Sequence, residues 1–184
     1  MAIDDGTLQQ FESALWDEPG TGVVAILDGA SVPGLRGQLR KAWPARVECL
    51  MGGYLEPDVA EVSPYAVELH KGYAFNRWLF DNMWGAHWGI LVRSREPFGP
   101  VARHFRGLFI VQGPEHKPLY FRFYDPRALR LVLPTCSPQQ VTSIFACARD
   151  IWMDAPAPGS IDIVSASADG VVTSRTTPVP GSPA

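Results

Sequence analysis

The feature that most constrains the fold is an uninterrupted apolar run near the amino terminus. Residues 23–27, VVAIL, carry no polar side chain, and Asp28-Gly29, a pair typical of turns, follows them. Successive side chains of a β-strand point to opposite faces of its sheet, so a strand that is apolar at every position is buried on both faces. The run therefore predicts a central strand that needs cover on each side.

Several segments have the apolar spacing of helices that could supply this cover. Longer helices are predicted at residues 6–16, 73–84 and 137–152. The third opens with Ser-Pro-Gln-Gln, the signature of a capping box. We expect it to present one apolar stripe as far as Trp152. Shorter helices are predicted over residues 35–43, from Pro57 and over residues 101–106.

Further strands are predicted at residues 46–51, 65–70 and 88–92, together with a hairpin whose strands are residues 108–112 and 119–124. In the second hairpin strand the alternation predicts two phenylalanines in the core and an outer face of Tyr120, Arg122 and Tyr124.

Beyond Asp154 the chain becomes rich in Ser, Thr, Pro and Ala. Residues 161–177 still hold two weakly apolar runs around Asp169-Gly170, which allows a small edge hairpin. The last residues, 177–184, are expected to be disordered.

These elements predict an α/β (α+β) fold in a single domain, with a mixed, mostly antiparallel central β-sheet flanked by helices and a C-terminal edge hairpin. A length of 184 residues fits one domain. We divide the chain into residues 1–21, an N-terminal helix and linker, residues 22–153, the main domain, and residues 154–184, the tail.

Composition excludes several classes of protein. Sixteen Lys and Arg against nineteen Asp and Glu, without a long basic run, do not favour a nucleic-acid partner. Cys49, Cys136 and Cys147 contain no C-x-x-C pair, so neither a disulfide framework nor a zinc site is expected. The amino terminus is acidic, and no apolar stretch approaches the ~20 residues that cross a bilayer, so we expect a cytoplasmic protein without membrane contact.

No sequence motif of a known catalytic site is present. The chain has no G-x-S-x-G elbow, no phosphate-binding glycine loop and no H-E-x-x-H, and we expect neither a cofactor nor a small-molecule ligand. One alternative is kept open: Glu68, His87, His104 and Asp125 could converge into the site of a small hydrolase or metal-dependent enzyme.

Exposed aromatic rings and arginines are the side chains that most often anchor a protein partner. On that basis the candidate partner-binding residues are Tyr65, Trp84, Arg122, Tyr124 and Arg127. The alternative for Tyr65 and Trp84 is that both are simply core residues.

Asp125 precedes Pro126 at a predicted helix start. Its carboxylate can therefore cap the helix by accepting from free amide groups, and direct contact with a partner is the alternative.

Five sequence blocks occur in an order that resembles a known family. They are PYAVEL (64–69), WGAHWGILVRS (84–94), HFR (104–106), FRFYDPRAL (121–129), and LP (133–134) followed by SPQQ (137–140). The chain resembles the type VI secretion effector adaptor or chaperone family, Tap or Tec, over about residues 22–153.

The resemblance implies a cytoplasmic, non-enzymatic adaptor. Members of that family bind a cognate secreted effector, a toxin, and help load it onto the VgrG spike. An immunity-type protein that binds and neutralises a toxin is the further alternative.

Overall fold

The apolar run forms β1 (Gly22–Asp28), which lies inside a seven-stranded sheet. The structure is a computed structural model that describes residues 3–42, 45–112 and 117–179. Strand β1 contributes to a separate hydrophobic cluster on each face of the sheet, as its lack of a polar face requires. One cluster takes Val24 and Ile26, and the other takes Val23, Ala25 and Leu27.

The central sheet is antiparallel at every pairing within the described residues. After β1 the strands in chain order are β2 (Val47–Cys49), β3 (Pro64–Leu69), β4 (Gly89–Ser94), β5 (Ile110–Gln112), β6 (Pro118–Tyr120), β7 (Asp150–Asp154), β8 (Ser160–Ala166) and β9 (Val172–Pro178). The spatial order of the large sheet is β2-β3-β1-β4-β7-β8-β9, and β5 pairs with β6 in a second, two-stranded sheet.

Helices cover both faces of the large sheet. They are α1 (Asp5–Leu15), α2 (Leu35–Leu39), α3 (Pro57–Val62), α4 (Ala74–Asn82), α5 (Phe98–Gly107), α6 (Pro126–Val132) and α7 (Pro138–Ile144). Helices α1, α2 and α4 pack on one face, and α5, α6 and α7 pack on the other. The predicted α/β single domain with a mostly antiparallel sheet is thus confirmed, and the described strand pairings of that sheet are all antiparallel.

Buried polar contacts fix α1 against the sheet layer. Glu12 is buried and accepts hydrogen bonds from the amide of Gly72, at 3.0 Å, and from Nδ2 of Asn76, at 2.7 Å. Arg93 of β4 is also buried and lies 3.0 Å from Asp17 and 3.1 Å from Asp150. Each buried charge therefore has partners, as burial demands.

The helix predicted over residues 137–152 is wrong in its second half. Its start is confirmed, because Ser137 and Gln140 form the capping box, but α7 ends at Ile144. Residues 150–154 form β7 and pair with β4. The apolar residues at 151–153 fit a strand buried on both faces as well as a helix stripe, and pairing with β4 decides between them.

The predicted tail hairpin is confirmed and is larger than expected. Strands β8 and β9 extend the main sheet beyond β7. Thr177 and Pro178 lie in β9 and Val179 is buried, so the expected disorder is wrong for residues 177–179. Residues 180–184 lie outside the described residues, as do Trp43 and Pro44 of the predicted helix over residues 35–43.

Over residues 3–42, 45–112 and 117–179, no helix has the length and apolarity that crossing a bilayer requires.

Strand β4 approaches β1 so closely that one position accepts only glycine. Gly89 pairs with Leu27, and a Cβ atom built on Gly89 would lie 2.0 Å from the carbonyl oxygen of Ile26. We predict that Gly89→Ala lowers the free energy of unfolding by about 1–3 kcal/mol or more, as overpacking does. Chemical denaturation measures this change.

The matched control is Gly37→Ala in α2, where an added Cβ meets no atom within 4 Å. Because alanine is the better helix former, this variant should gain about 0.5–1 kcal/mol. Equal stability of Gly89→Ala and the wild type would contradict the close approach of the two strands.

Candidate functional site

Two of the five candidate partner-binding residues pack into the core on the α1, α2 and α4 face. Tyr65 is buried in β3, and its hydroxyl donates to the carbonyl oxygen of Ala60 at 2.8 Å. Trp84 is half-buried, with its ring centroid 5.1 Å from that of Phe11. The expected exposure of Tyr65 is wrong, because β3 lies inside the sheet with helices over it. That either residue binds a partner stays a prediction.

The strand predicted over residues 119–124 is shorter than expected. Strand β6 ends at Tyr120, and the chain then turns, with the amide of Asp125 donating to the carbonyl oxygen of Arg122 at 2.9 Å. The turn buries Tyr124 with its neighbour Phe123, their ring centroids 5.4 Å apart. Tyr124 is therefore not on the outer face that strict alternation predicts, whereas Tyr120 and Arg122 are exposed.

Arg122 is held by a buried carboxylate at the end of the central strand. Its Nη2 lies 2.5 Å from Oδ2 of Asp28, the last residue of β1. Asp28 also accepts from the amide of Ala30, at 3.1 Å, and from the hydroxyl of Ser31, at 2.7 Å. The guanidinium carbon lies 5.8 Å from the ring centroid of Tyr124, within cation–π range.

Asp125 caps α6, as predicted, and also binds a second arginine. Its Oδ1 accepts from the amide of Arg127 at 3.0 Å. The guanidinium of Arg127 approaches the same carboxylate in bidentate fashion, through Nε at 3.0 Å and Nη2 at 2.8 Å. We name Asp28, Arg122, Asp125 and Arg127 the charged corner.

The charged corner is an electrostatically coupled set. Burial alone raises the pKa of Asp125, but hydrogen bonds from Arg127 and the charges of Arg127 and Arg122 outweigh burial and hold that pKa below its ordinary value of 3.8. Burial lowers the pKa of Arg122, and the charge and hydrogen bond of Asp28 outweigh it and raise that pKa. The pKa of Arg127 is raised as well, by its hydrogen bond to Asp125 and by the charge of Asp125, so Asp125, Arg122 and Arg127 are ionised at neutral pH.

Next to the charged corner, the two-stranded sheet presents an exposed apolar surface. Ile110 and Tyr120 pair across β5 and β6, with exposed fractions of 61% and 75%. Together with Met51, which is 41% exposed, they line one cavity of about 390 Å³. We name Met51, Ile110 and Tyr120 the hairpin patch.

Arg106 of α5 lines the same cavity. Its Nη2 lies 2.5 Å from Glu48 and 3.2 Å from the carbonyl oxygen of Cys49, which ties α5 to the edge strand β2. The cavity of the hairpin patch is therefore bordered by α5, through Arg106, and by the segment that follows β2, through Met51. The sequence did not predict this patch as a whole. A short apolar strand has the same residue pattern whether or not a second layer of helices or strands covers it.

The residues of the enzyme alternative each contact other groups. Glu68 binds Arg46 at 2.6 Å, and Nδ1 of His87 lies 3.4 Å from Asp154. Nε2 of His104 lies 3.1 Å from the carbonyl oxygen of Ile144, and Asp125 belongs to the charged corner. Over residues 3–42, 45–112 and 117–179, no three His, Cys, Asp or Glu side chains are grouped so that they could hold a metal ion.

Exposed aliphatic and aromatic side chains beside arginines are typical of protein–protein interfaces, so the site has the composition of a protein-binding surface. The chain belongs to the family described as domain of unknown function DUF4123, whose model matches residues 24–143, about two thirds of the chain. This family is known as a type VI secretion effector adaptor-like domain. No curated protein and no solved structure matches the chain significantly.

The matched residues run from β1 into α7 and include the whole charged corner and the whole hairpin patch. Helix α1 and strands β7, β8 and β9 lie outside them. The candidate site thus lies within the segment that the family model matches.

The capping carboxylate yields a prediction about stability. Asp125→Ala removes the cap and should lower the free energy of unfolding by about 0.5–2 kcal/mol.

Asp125→Asn keeps a capping oxygen and loses only the charge that pairs with Arg127. Because the pKa of Asp125 is lowered by folding, the charge stabilises the fold above pH 3.8, and this advantage is lost as the pH falls through the lowered pKa.

Urea denaturation of the wild type and Asp125→Asn at several pH values between about 2 and 6 measures this effect. We expect the wild type to be more stable at the upper end and the two proteins to converge at the lower end. A difference that does not change with pH would contradict a stabilising charge at Asp125.

Proposed function

We propose that this chain is a non-enzymatic, cytoplasmic adaptor or chaperone that binds a cognate type VI secretion effector and helps load it onto the VgrG spike. Membership of the family supports the general adaptor role. The observation that carries the proposal is the hairpin patch, an exposed apolar surface inside the residues that the family shares.

The hairpin patch has the properties that a reversible protein interface needs. Interfaces take most of their affinity from a few aromatic, aliphatic and arginine anchors near the centre. Tyr120 offers a large ring with few rotatable bonds, so it loses little entropy on ordering. The cavity between Met51 and the hairpin can accept one apolar side chain of the partner.

An adaptor must also release its cargo. The hairpin and its flanking residues form a small surface. The interfaces of obligate complexes are larger and bury about 2,000 Å² or more. A standard-sized interface of this composition gives an affinity sufficient for loading and a dissociation rate that permits delivery.

The test is association with the product of the neighbouring gene, which we expect to be the toxin. We expect the purified pair to bind at micromolar concentration or below in isothermal titration calorimetry. Ile110→Ser combined with Tyr120→Ala should weaken the affinity about tenfold or more, because truncated interface anchors cost about 2 kcal/mol or more. Thermal unfolding should be nearly unchanged, because both side chains are exposed.

The matched control is Val171→Ser, which alters an exposed apolar residue before β9, outside the family-matched residues. Its affinity for the toxin should equal that of the wild type. Failure of the wild-type pair to associate, with toxin delivery unaffected by deletion of this chain, would contradict the proposal. Rescue of cells from the toxin would instead identify an immunity protein.

A further inference from the structure

The hairpin patch and the charged corner are close together along the chain. Tyr120 ends β6 and Arg122 lies two residues later, so their Cα atoms are at most about 7 Å apart. Both side chains are exposed. Arg106 lines the cavity of the hairpin patch, so a second arginine lies beside the apolar residues.

The arginines of the charged corner face outward from buried carboxylates. The side chain of Arg122 is 48% exposed and that of its partner Asp28 is 2% exposed. The corresponding values for Arg127 and Asp125 are 57% and 9%. The solvent-facing part of each ion pair is therefore the guanidinium.

These ion pairs also reduce the side-chain entropy that is lost when a partner binds. A free arginine side chain loses rotamer entropy when a partner immobilises it. Arg122 and Arg127 are already held by hydrogen bonds to Asp28 and Asp125. A guanidinium has five N–H donors, and those that do not contact the buried carboxylates remain available to a further acceptor.

Charge is distributed unevenly along the chain. Residues 98–137, which include the two-stranded sheet and most of the charged corner, contain six Lys or Arg and two Asp or Glu. The remaining residues contain ten Lys or Arg and seventeen Asp or Glu. Arg106, Arg122 and Arg127 therefore belong to a basic segment of a chain that is otherwise acidic, whereas Asp28 and Met51 lie outside that segment.

We propose that this surface recognises a segment of the effector in which an acidic side chain lies next to apolar side chains. The carboxylate of that segment binds the outer donors of Arg122 and Arg127, and an apolar side chain enters the cavity of the hairpin patch. This inference rests on the proposed adaptor function and adds the chemistry of the recognised segment. Arginine is suited to it because its planar fork matches a carboxylate.

A polypeptide fits this surface better than a nucleic acid does. Nucleic-acid sites gain affinity from many unpaired cations that replace counterions on phosphates. Here Arg106, Arg122 and Arg127 are each paired with a carboxylate of the chain, which reduces the local positive field. Of the hairpin patch, only Tyr120 carries an aromatic ring, so the patch offers a single ring on which a base could stack.

The first experiment measures affinity for the neighbouring toxin with arginine variants. Arg127→Ala should weaken binding about tenfold, and Arg122→Lys, which keeps the charge that pairs with Asp28 but loses the fork, should weaken it several-fold. Affinity should also fall as the salt concentration rises. Circular dichroism and thermal unfolding confirm that each variant is folded.

Arg95→Ala is the matched control. Arg95 is an exposed arginine paired with Glu18, and it follows Ser94, which pairs with Gly22 at the start of β1. Asp28 is the last residue of β1, and the two ends of β1 are roughly 20 Å apart at about 3.4 Å per residue. Affinity of Arg95→Ala within twofold of the wild type, with weakened binding by Arg127→Ala, supports the inference. Equal affinities of all variants would overturn it.

A second experiment does not depend on the effector. A phage-displayed library of random peptides is selected on the intact chain, and enriched peptides are synthesised with each Asp or Glu and with Asn or Gln in its place. We expect an acidic residue beside apolar ones, about tenfold weaker binding of the amide versions and loss of binding to Arg127→Ala.

The two experiments separate the two proposals. A toxin that does not bind, with acidic apolar peptides that do, contradicts the adaptor function and supports the recognition chemistry. A toxin that binds independently of Arg122 and Arg127 supports the function and overturns the chemistry. Enrichment of peptides without acidic residues, no enrichment at all, or tight Arg127-dependent binding of a single-stranded oligonucleotide would also overturn the chemistry.

Discussion

The absence of a polar face on β1 is the constraint from which the rest of the architecture follows. A strand that is apolar at every position must be covered on both sides, so the chain supplies two helix layers that draw on different parts of the sequence. One layer begins with α1, ahead of the strand, and the other is assembled from α5, α6 and α7. Asp28, the first polar side chain after the run, lies where β1 meets the charged corner.

The sequence pattern predicted helices and strands correctly where a pattern was compatible with only one of them. The caps at Asp125 and Ser137 were predicted because an Asp or Ser directly before a proline can accept a hydrogen bond from the free backbone amides at the start of a helix. Residues 150–154 were misassigned because an apolar triplet suits a helix stripe and a buried strand equally, and only the long-range pairing with β4 distinguishes them.

The candidate site was predictable in part for the same reason. Arginine is exposed far more often than it is buried, so the exposure of Arg122 and Arg127 could be predicted from residue type, although Arg93 is a buried exception. Tyr65 and Tyr124 can be buried or exposed, and tertiary packing decided for burial. The hairpin patch was not predictable, because the absence of a covering layer over β5 and β6 is a property of the whole fold.

The same ion-pair chemistry serves two purposes at the two ends of the central strands. Arg93 is buried between Asp17 and Asp150 and holds α1 and β7 to β4. At the opposite end, the carboxylates are buried and the guanidiniums are exposed. Inverting which partner faces solvent leaves guanidinium donors at the surface, where the ion pair of Arg93 leaves none.

The sheet order also bears on how pieces of this chain would behave. Strand β7, outside the family-matched residues, shields one edge of β4, whose six positions are all buried. A fragment cut to residues 24–143 would leave one edge of β4 without a partner strand, and an unpaired edge beside the apolar residues 90–92 can recruit other chains. The minimal soluble unit for expression is therefore wider than the segment that defines the family.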